Sequence, residues 1–181
     1  MNRITTNGTI HFRHLLLLCA VALIFVDCST TRRLERQLHR EVYGLLELNE
    51  SGKDNFELYR EAASWLKTPH VEGGLTHKGI DCSGLVYMLY KNVYGKTLER
   101  SSGNMLRKNC DRIRASRLRE GDLVFFSTGA KSRSNVNHVG IYLKENKFIH
   151  TSTSRGVMVS SLEEDYFRKT WFCGGRVKHY R

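Results

Sequence analysis

Hydrophobic positions along this chain change their period near its middle. Upstream of Gly95 they recur at helical spacing, and downstream they alternate in short runs. Residues 29–53 are polar and Arg-rich, yet Leu34, Leu38, Val42, Leu45 and Leu46 fall at helical intervals, which predicts a tether leading into an amphipathic helix. The stretch "NFELYREAASWLK", residues 55–67, predicts a second helix. It must end at Thr68-Pro69, because proline drives the preceding residue out of the helical region. After the loop "EGGLTHKGI" a third helix begins around Cys82, buries Leu85, Val86, Leu89, Tyr90 and Val93, and stops at Gly95 as its C′ residue.

Beyond Gly95, "RLREGDLVFFS" carries a Gly-Asp turn into a β-rich run over residues 122–127. "HVGIYL", "KFIHTS", "GVMVSS" and "WFCGGRV" are further short segments of β-branched and aromatic residues separated by polar turns. Helices first and strands afterwards predict an α+β domain with a mostly antiparallel sheet. The length, 181 residues, suits one compact domain plus extensions.

The amino terminus stands apart from this pattern. Arg3, His11, Arg13 and His14 precede an apolar run from Leu15 to Val26, twelve residues long. A bilayer-spanning helix needs about 20. A basic segment before so short an apolar one reads as a secretory signal over residues 1–27, removed on export. Cys28 then stands where the signal ends, as in bacterial lipoproteins cleaved before a cysteine that receives lipid, although Phe25 and Asp27 depart from the small residues usual there. An uncleaved anchor, or an ordinary signal with an incidental cysteine, is the other reading. The expected organisation is a signal over 1–27, a lipid-anchored tether and amphipathic helix over 28–53, and a catalytic domain over 54–181.

Charge narrows the partners. The full chain carries a net +11; loss of Arg3, Arg13 and Asp27 leaves 27 basic against 17 acidic residues, a net of +10. Such a surface suits an anionic partner, and export makes nucleic acid the poorest fit among those available. Phospholipid head groups or a carboxylate-bearing wall polymer fit better, and charge serving solubility alone is the plain alternative. Three cysteines remain in the body: Cys82, Cys110 and Cys173. An oxidising compartment permits a Cys110–Cys173 bridge, but the sequence does not show that the two meet.

Cys82 needs its own explanation. "GIDCSGLVYMLY", residues 79–90, opens a helix with Asp81, a natural N-cap, followed by a thiol. Unpaired N–H groups and the positive end of the helix dipole favour thiolate there, while Asp81 opposes it. A nucleophilic cysteine needs a base, and the base an orienting partner. His138 opens a strand in which Val139, Ile141 and Leu143 alternate with His138, Gly140 and Tyr142. If Leu143 pairs with Lys147 around a three-residue turn, Gly140 lies opposite His150 and His138 is its diagonal neighbour on the same face. A two-residue turn would put the two imidazoles on opposite faces. The residues also admit plainer readings: a buried structural cysteine, polar strand-end histidines, or a Cys-His-His zinc site that lacks the usual close ligand spacing.

Four blocks, "GIDCSGLVYMLY", "LREGDLVFFSTG", "NHVGIYL" and "FIHTSTSRGVMVSSL", occur in that order and at spacings that resemble the NlpC/P60 family of cell-wall cysteine peptidases. The resemblance runs from about Trp65 to Val177 and extends to the layout of the family's small lipoproteins. It implies a papain-like α+β fold, no cofactor, and cleavage of peptidoglycan stem peptides, typically between γ-D-glutamate and a diamino acid. It also implies Cys82 as nucleophile, His138 as base, His150 as the third polar residue, and Asp81 and Ser83 as pocket residues. Relatives commonly read T-P-Y-x-Y-G-G before the cysteine; here Thr68-Pro69 is followed by His70, Val71, Glu72, Gly73 and Gly74. His70 thus stands for a pocket tyrosine and Glu72 for an aromatic residue, which bears on substrate preference. Wall peptides as substrate, a membrane reached through lipid on Cys28, no nucleic acid and a monomeric state complete the expectation. The location expected is the cell envelope, at the outer membrane facing the periplasm if the host has two membranes.

Overall fold

The computed structural model describes residues 30–129 and 135–178. The signal segment and Cys28 lie outside the described residues. The chain divides into two units, Met1–Glu41 and Val42–Arg181. The first contributes residues 30–41 of a helix, α1, that covers residues 30–45. Leu34 and Leu38 on it are exposed.

In the second unit Leu45 is also exposed, whereas Val42, Tyr43, Leu46 and Leu48 are buried and belong to the main core, which therefore begins upstream of residue 54. Helix α2 runs Phe56–Trp65 and buries Leu58, Tyr59, Ala62 and Trp65. It stops short of Pro69 because Lys67 turns to φ 65° and donates its N–H to the Val157 carbonyl. A two-stranded ladder, β1 (Leu75–Thr76) with β2 (Gly79–Ile80), precedes α3 (Cys82–Tyr94). Gly95 ends α3 with φ 63°, its N–H on the Lys91 carbonyl and the next N–H on that of Tyr90, as its place in the sequence predicts. A one-turn helix, α4 (Ser102–Asn104), then leads through a π-helical turn into the sheet.

The sheet has six antiparallel strands, β3 (Cys110–Ile113), β4 (Leu123–Phe126), β5 (His138–Tyr142), β6 (Lys147–Ser152), β7 (Gly156–Ser161) and β8 (Trp171–Val177). Their order across the sheet is β3-β8-β4-β5-β6-β7. Central β4 reads "LVFF" without alternation because both its faces are covered. Leu123 and Phe125 join the core beneath α2 and α3, while Val124 and Phe126 join Phe148 and Phe167 on the other side. Phe167 comes from α5 (Asp165–Thr170). The four alternating segments emerge as β5–β8 with close to their expected bounds. Strand β3 and α5 were not legible, being short and rich in charge.

Candidate active site

The start of α3 is held by one carboxylate. Asp81 caps the helix through Oδ1, which accepts the Gly84 N–H at 2.5 Å and lies 2.9 Å from Ser83 Oγ. Its Oδ2 accepts the Gly73 N–H at 2.7 Å and Arg100 Nη2 at 3.0 Å. Gly84 is required here: a Cβ on it would come within 2.5 Å of the Gly74 carbonyl oxygen. The loop carrying His70 and Glu72 is thereby pulled against the helix start. Burial alone would raise the Asp81 carboxyl, but the Arg100 guanidinium, the Gly84 N–H and the Ser83 hydroxyl hold it below the usual carboxylate range. Arg100 is the site residue that sequence reasoning missed; nothing local marks it, because its partners lie 17 and 19 residues away.

Cys82 follows that cap directly, and the backbone N–H groups of Val139 and Ser83 face its sulfur. Burial nevertheless dominates, and the neighbouring Asp81 charge adds to it, so the thiol is pushed up, not down. The expectation of a thiolate-favouring helix start is thus corrected: loss of hydration outweighs two N–H contacts. Cys82, Cys110 and Cys173 are all free thiols, so the permitted Cys110–Cys173 bridge is not formed.

His138 and His150 meet as the register requires. Leu143 donates its N–H to the Lys147 carbonyl around the three-residue turn, and Ile141 pairs with Ile149. His138 Nε2 lies 3.0 Å from His150 Nδ1, with the rings at 85° to each other. Gly140 makes room for this diagonal contact, since a Cβ there would meet Phe148 Cδ2 at 2.7 Å and His150 Cβ at 3.2 Å. His150 is buried among Phe148 and Phe167 at ring separations of 5.0 and 5.2 Å. Burial, reinforced by the charge of His70, pushes His138 down to about 4. Burial, with His138 and Arg155 adding, pushes His150 down to about 3. Both imidazoles are neutral at neutral pH.

A cleft of about 530 Å³ brings Cys82 and His138 together with Asp81, Ser83, His70 and Glu72. His150 is not on that cleft's wall; it supports His138 from behind. The segment bearing His70 is fixed by pairing on both sides: Val157 N–H to the Thr68 carbonyl, and Ile80 N–H to the Pro69 carbonyl. His70 Nε2 stands 3.8 Å from a Glu72 carboxylate oxygen whose side chain is largely in solvent.

Residues 67–176 match the model of the NlpC/P60 family. The chain belongs to that family. A relative from Escherichia coli strain K12, named murein DD-endopeptidase MepS/murein LD-carboxypeptidase, is 34% identical over 87% of this chain and 88% of its own length. A second from the same strain, named probable endopeptidase NlpC, is 42% identical over 63% of this chain and 72% of its own. Among solved structures, an NlpC/P60 family protein from Bacillus cereus ATCC 10987 superposes with a TM-score of 0.61. It is 27% identical and is matched over 67% of this chain and 39% of that one. The chain is accordingly an enzyme of cysteine-peptidase type with the NlpC/P60 α+β fold.

Proposed function

We propose that the protein is a peptidoglycan endopeptidase that hydrolyses stem-peptide amides with Cys82 as nucleophile, His138 as general base and acid, and His150 as the residue that orients His138. The observation carrying this reading is the 3.0 Å bond from His138 Nε2, on the cleft that Cys82 lines, to His150 Nδ1 behind it. With Nε2 engaged on His150, Nδ1 of His138 is the nitrogen left to take the thiol proton. Sulfur attacks the amide carbonyl, the C–N bond breaks, and His138 returns the proton to the leaving amine. Water then cleaves the thioester. The Cys82 backbone N–H, assisted by His70, stabilises the oxyanion, and Asp81, Ser83, His70 and Glu72 shape the acyl-side pocket.

The bond proposed is the one between γ-D-glutamate and a diamino acid. The name of the 34%-identical relative refers to a different, DD-type bond in murein. Digestion of defined muropeptides followed by mass spectrometry decides between them. Unchanged peptides would favour a wall-peptide-binding protein, and transferred adducts an acyltransferase using the same thiol.

His70 gives a sharper expectation. His70 lines the cleft beside Cys82 where relatives commonly carry a tyrosine, and an imidazole and a phenol present different donors to the substrate, so wild type and His70→Tyr should differ in kcat/KM on one defined stem peptide. Equal rates would place His70 outside the reaction.

For the amino terminus the proposal is removal of residues 1–27, lipid on Cys28 and a tether leading into a catalytic domain that begins at Val42 and not at residue 54, monomeric and held at an envelope membrane. In a two-membrane host Ser29 after Cys28 favours the outer membrane. The mature chain should carry lipid mass on Cys28 and need detergent for extraction; a soluble chain with an unmodified Cys28 would refute the anchor.

A further inference from the structure

Past His138 lies a second recess of about 400 Å³. Thr128, His138, Thr151 and Thr153 line both spaces, so the two adjoin. One wall of the recess is the turn between β6 and β7, which carries Arg155; another is the start of α5, with Glu164, Tyr166 and Phe167. Arg155 is exposed, and its backbone N–H is fixed on Ser152 Oγ at 3.3 Å. Among the described residues its guanidinium has no ion pair. Arg100, the cation at the other end, is occupied by Asp81 and Ser83.

These two arms differ in chemistry, and His138 tells them apart. A group that protonates the departing nitrogen must stand on the leaving side of the scissile amide. The recess beyond His138 is therefore where the leaving residue sits, and Arg155 is a cation on its wall with no ion pair among the described residues. A guanidinium pairs with carboxylate through two parallel N–H donors. Glu164, one oxygen of which accepts the Ser161 N–H at 2.7 Å, keeps the other for the ammonium that accompanies a carboxylate in an amino acid.

Resting on the peptidase reading, we infer that this recess binds a leaving diamino acid through its free carboxylate, with Arg155 as the residue that selects it. The enzyme then discriminates wall peptides by whether that carboxyl is free or amidated. Arg155 is a specificity residue and takes no part in bond breaking.

The test uses the full chain and two synthetic muropeptides that differ only at this position, free acid against carboxamide. Wild type should cleave the acid with kcat/KM about tenfold higher, chiefly through KM, as expected for a partly exposed charge-assisted pair. Arg155→Gln should bring the ratio close to one. A substitution that merely disturbed the turn would lower both rates and leave the ratio intact, which would overturn the inference. Equal cleavage of both peptides by wild type would overturn it too. Cleavage of neither overturns the peptidase reading and this inference with it.

Discussion

Cys82→Ala, and equally Cys82→Ser, should abolish muropeptide cleavage while leaving the fold in place. Loss of a covalent nucleophile commonly costs on the order of 10⁴-fold or more, because the remaining machinery cannot replace the attacking atom. Serine keeps the shape, but its hydroxyl would have to be activated by a base whose proton affinity burial has already lowered. The stability cost should be small, about 1 kcal/mol or less, since Cys82 lies at the edge of the core and is not the helix cap. The check is product formation by mass spectrometry beside the thermal midpoint of each variant. Residual activity above about a hundredth of wild type in a folded variant would rule out the Cys82 mechanism.

The second large effect is a loss of both stability and activity in mild acid. His138 and His150 sit at about 4 and about 3 in the folded protein, whereas an unfolded histidine titrates near 6.5. A depressed folded value means that the unfolded chain binds more protons between these limits. The pair's contribution is therefore complete above roughly pH 6.5 and is lost as pH falls toward the folded values. For His150, which is 3% exposed, burial is deep enough for a stability effect on the order of 3 kcal/mol. Asp81 and Asp54 are also perturbed, but downward from the ordinary carboxylate value, so their losses come at still lower pH. The thermal midpoint of wild type should fall by roughly 10 °C between pH 7 and 4, and much less in a His138→Gln/His150→Gln double variant. Parallel falls in the two proteins would overturn the assignment. In the same experiment the acid limb of kcat/KM should lie near pH 4, well below the ordinary histidine range, because protonation of His138 removes the base.

Much of this site is local in origin and so was legible along the chain. The alternation of "HVGIYL" and "KFIHTS" and the three-residue turn between Leu143 and Lys147 fix one register, which puts His138 and His150 on one face. Asp81 and Gly95 bracket α3 by capping rules that need no knowledge of the rest of the fold. Tertiary structure decided everything that depends on which surfaces lose water and which distant residues meet. It partly buried Cys82 and thereby raised a thiol that its helix position alone would have acidified. It turned Val42 and Leu46 into the core and left Leu34, Leu38 and Leu45 exposed, although helical periodicity treats all five alike. It brought Arg100 onto Asp81, and it set Arg155 and Glu164 around one recess from separate elements. Periodicity records only which face a residue shares with its near neighbours; desolvation and long-range pairing are properties of the packed chain.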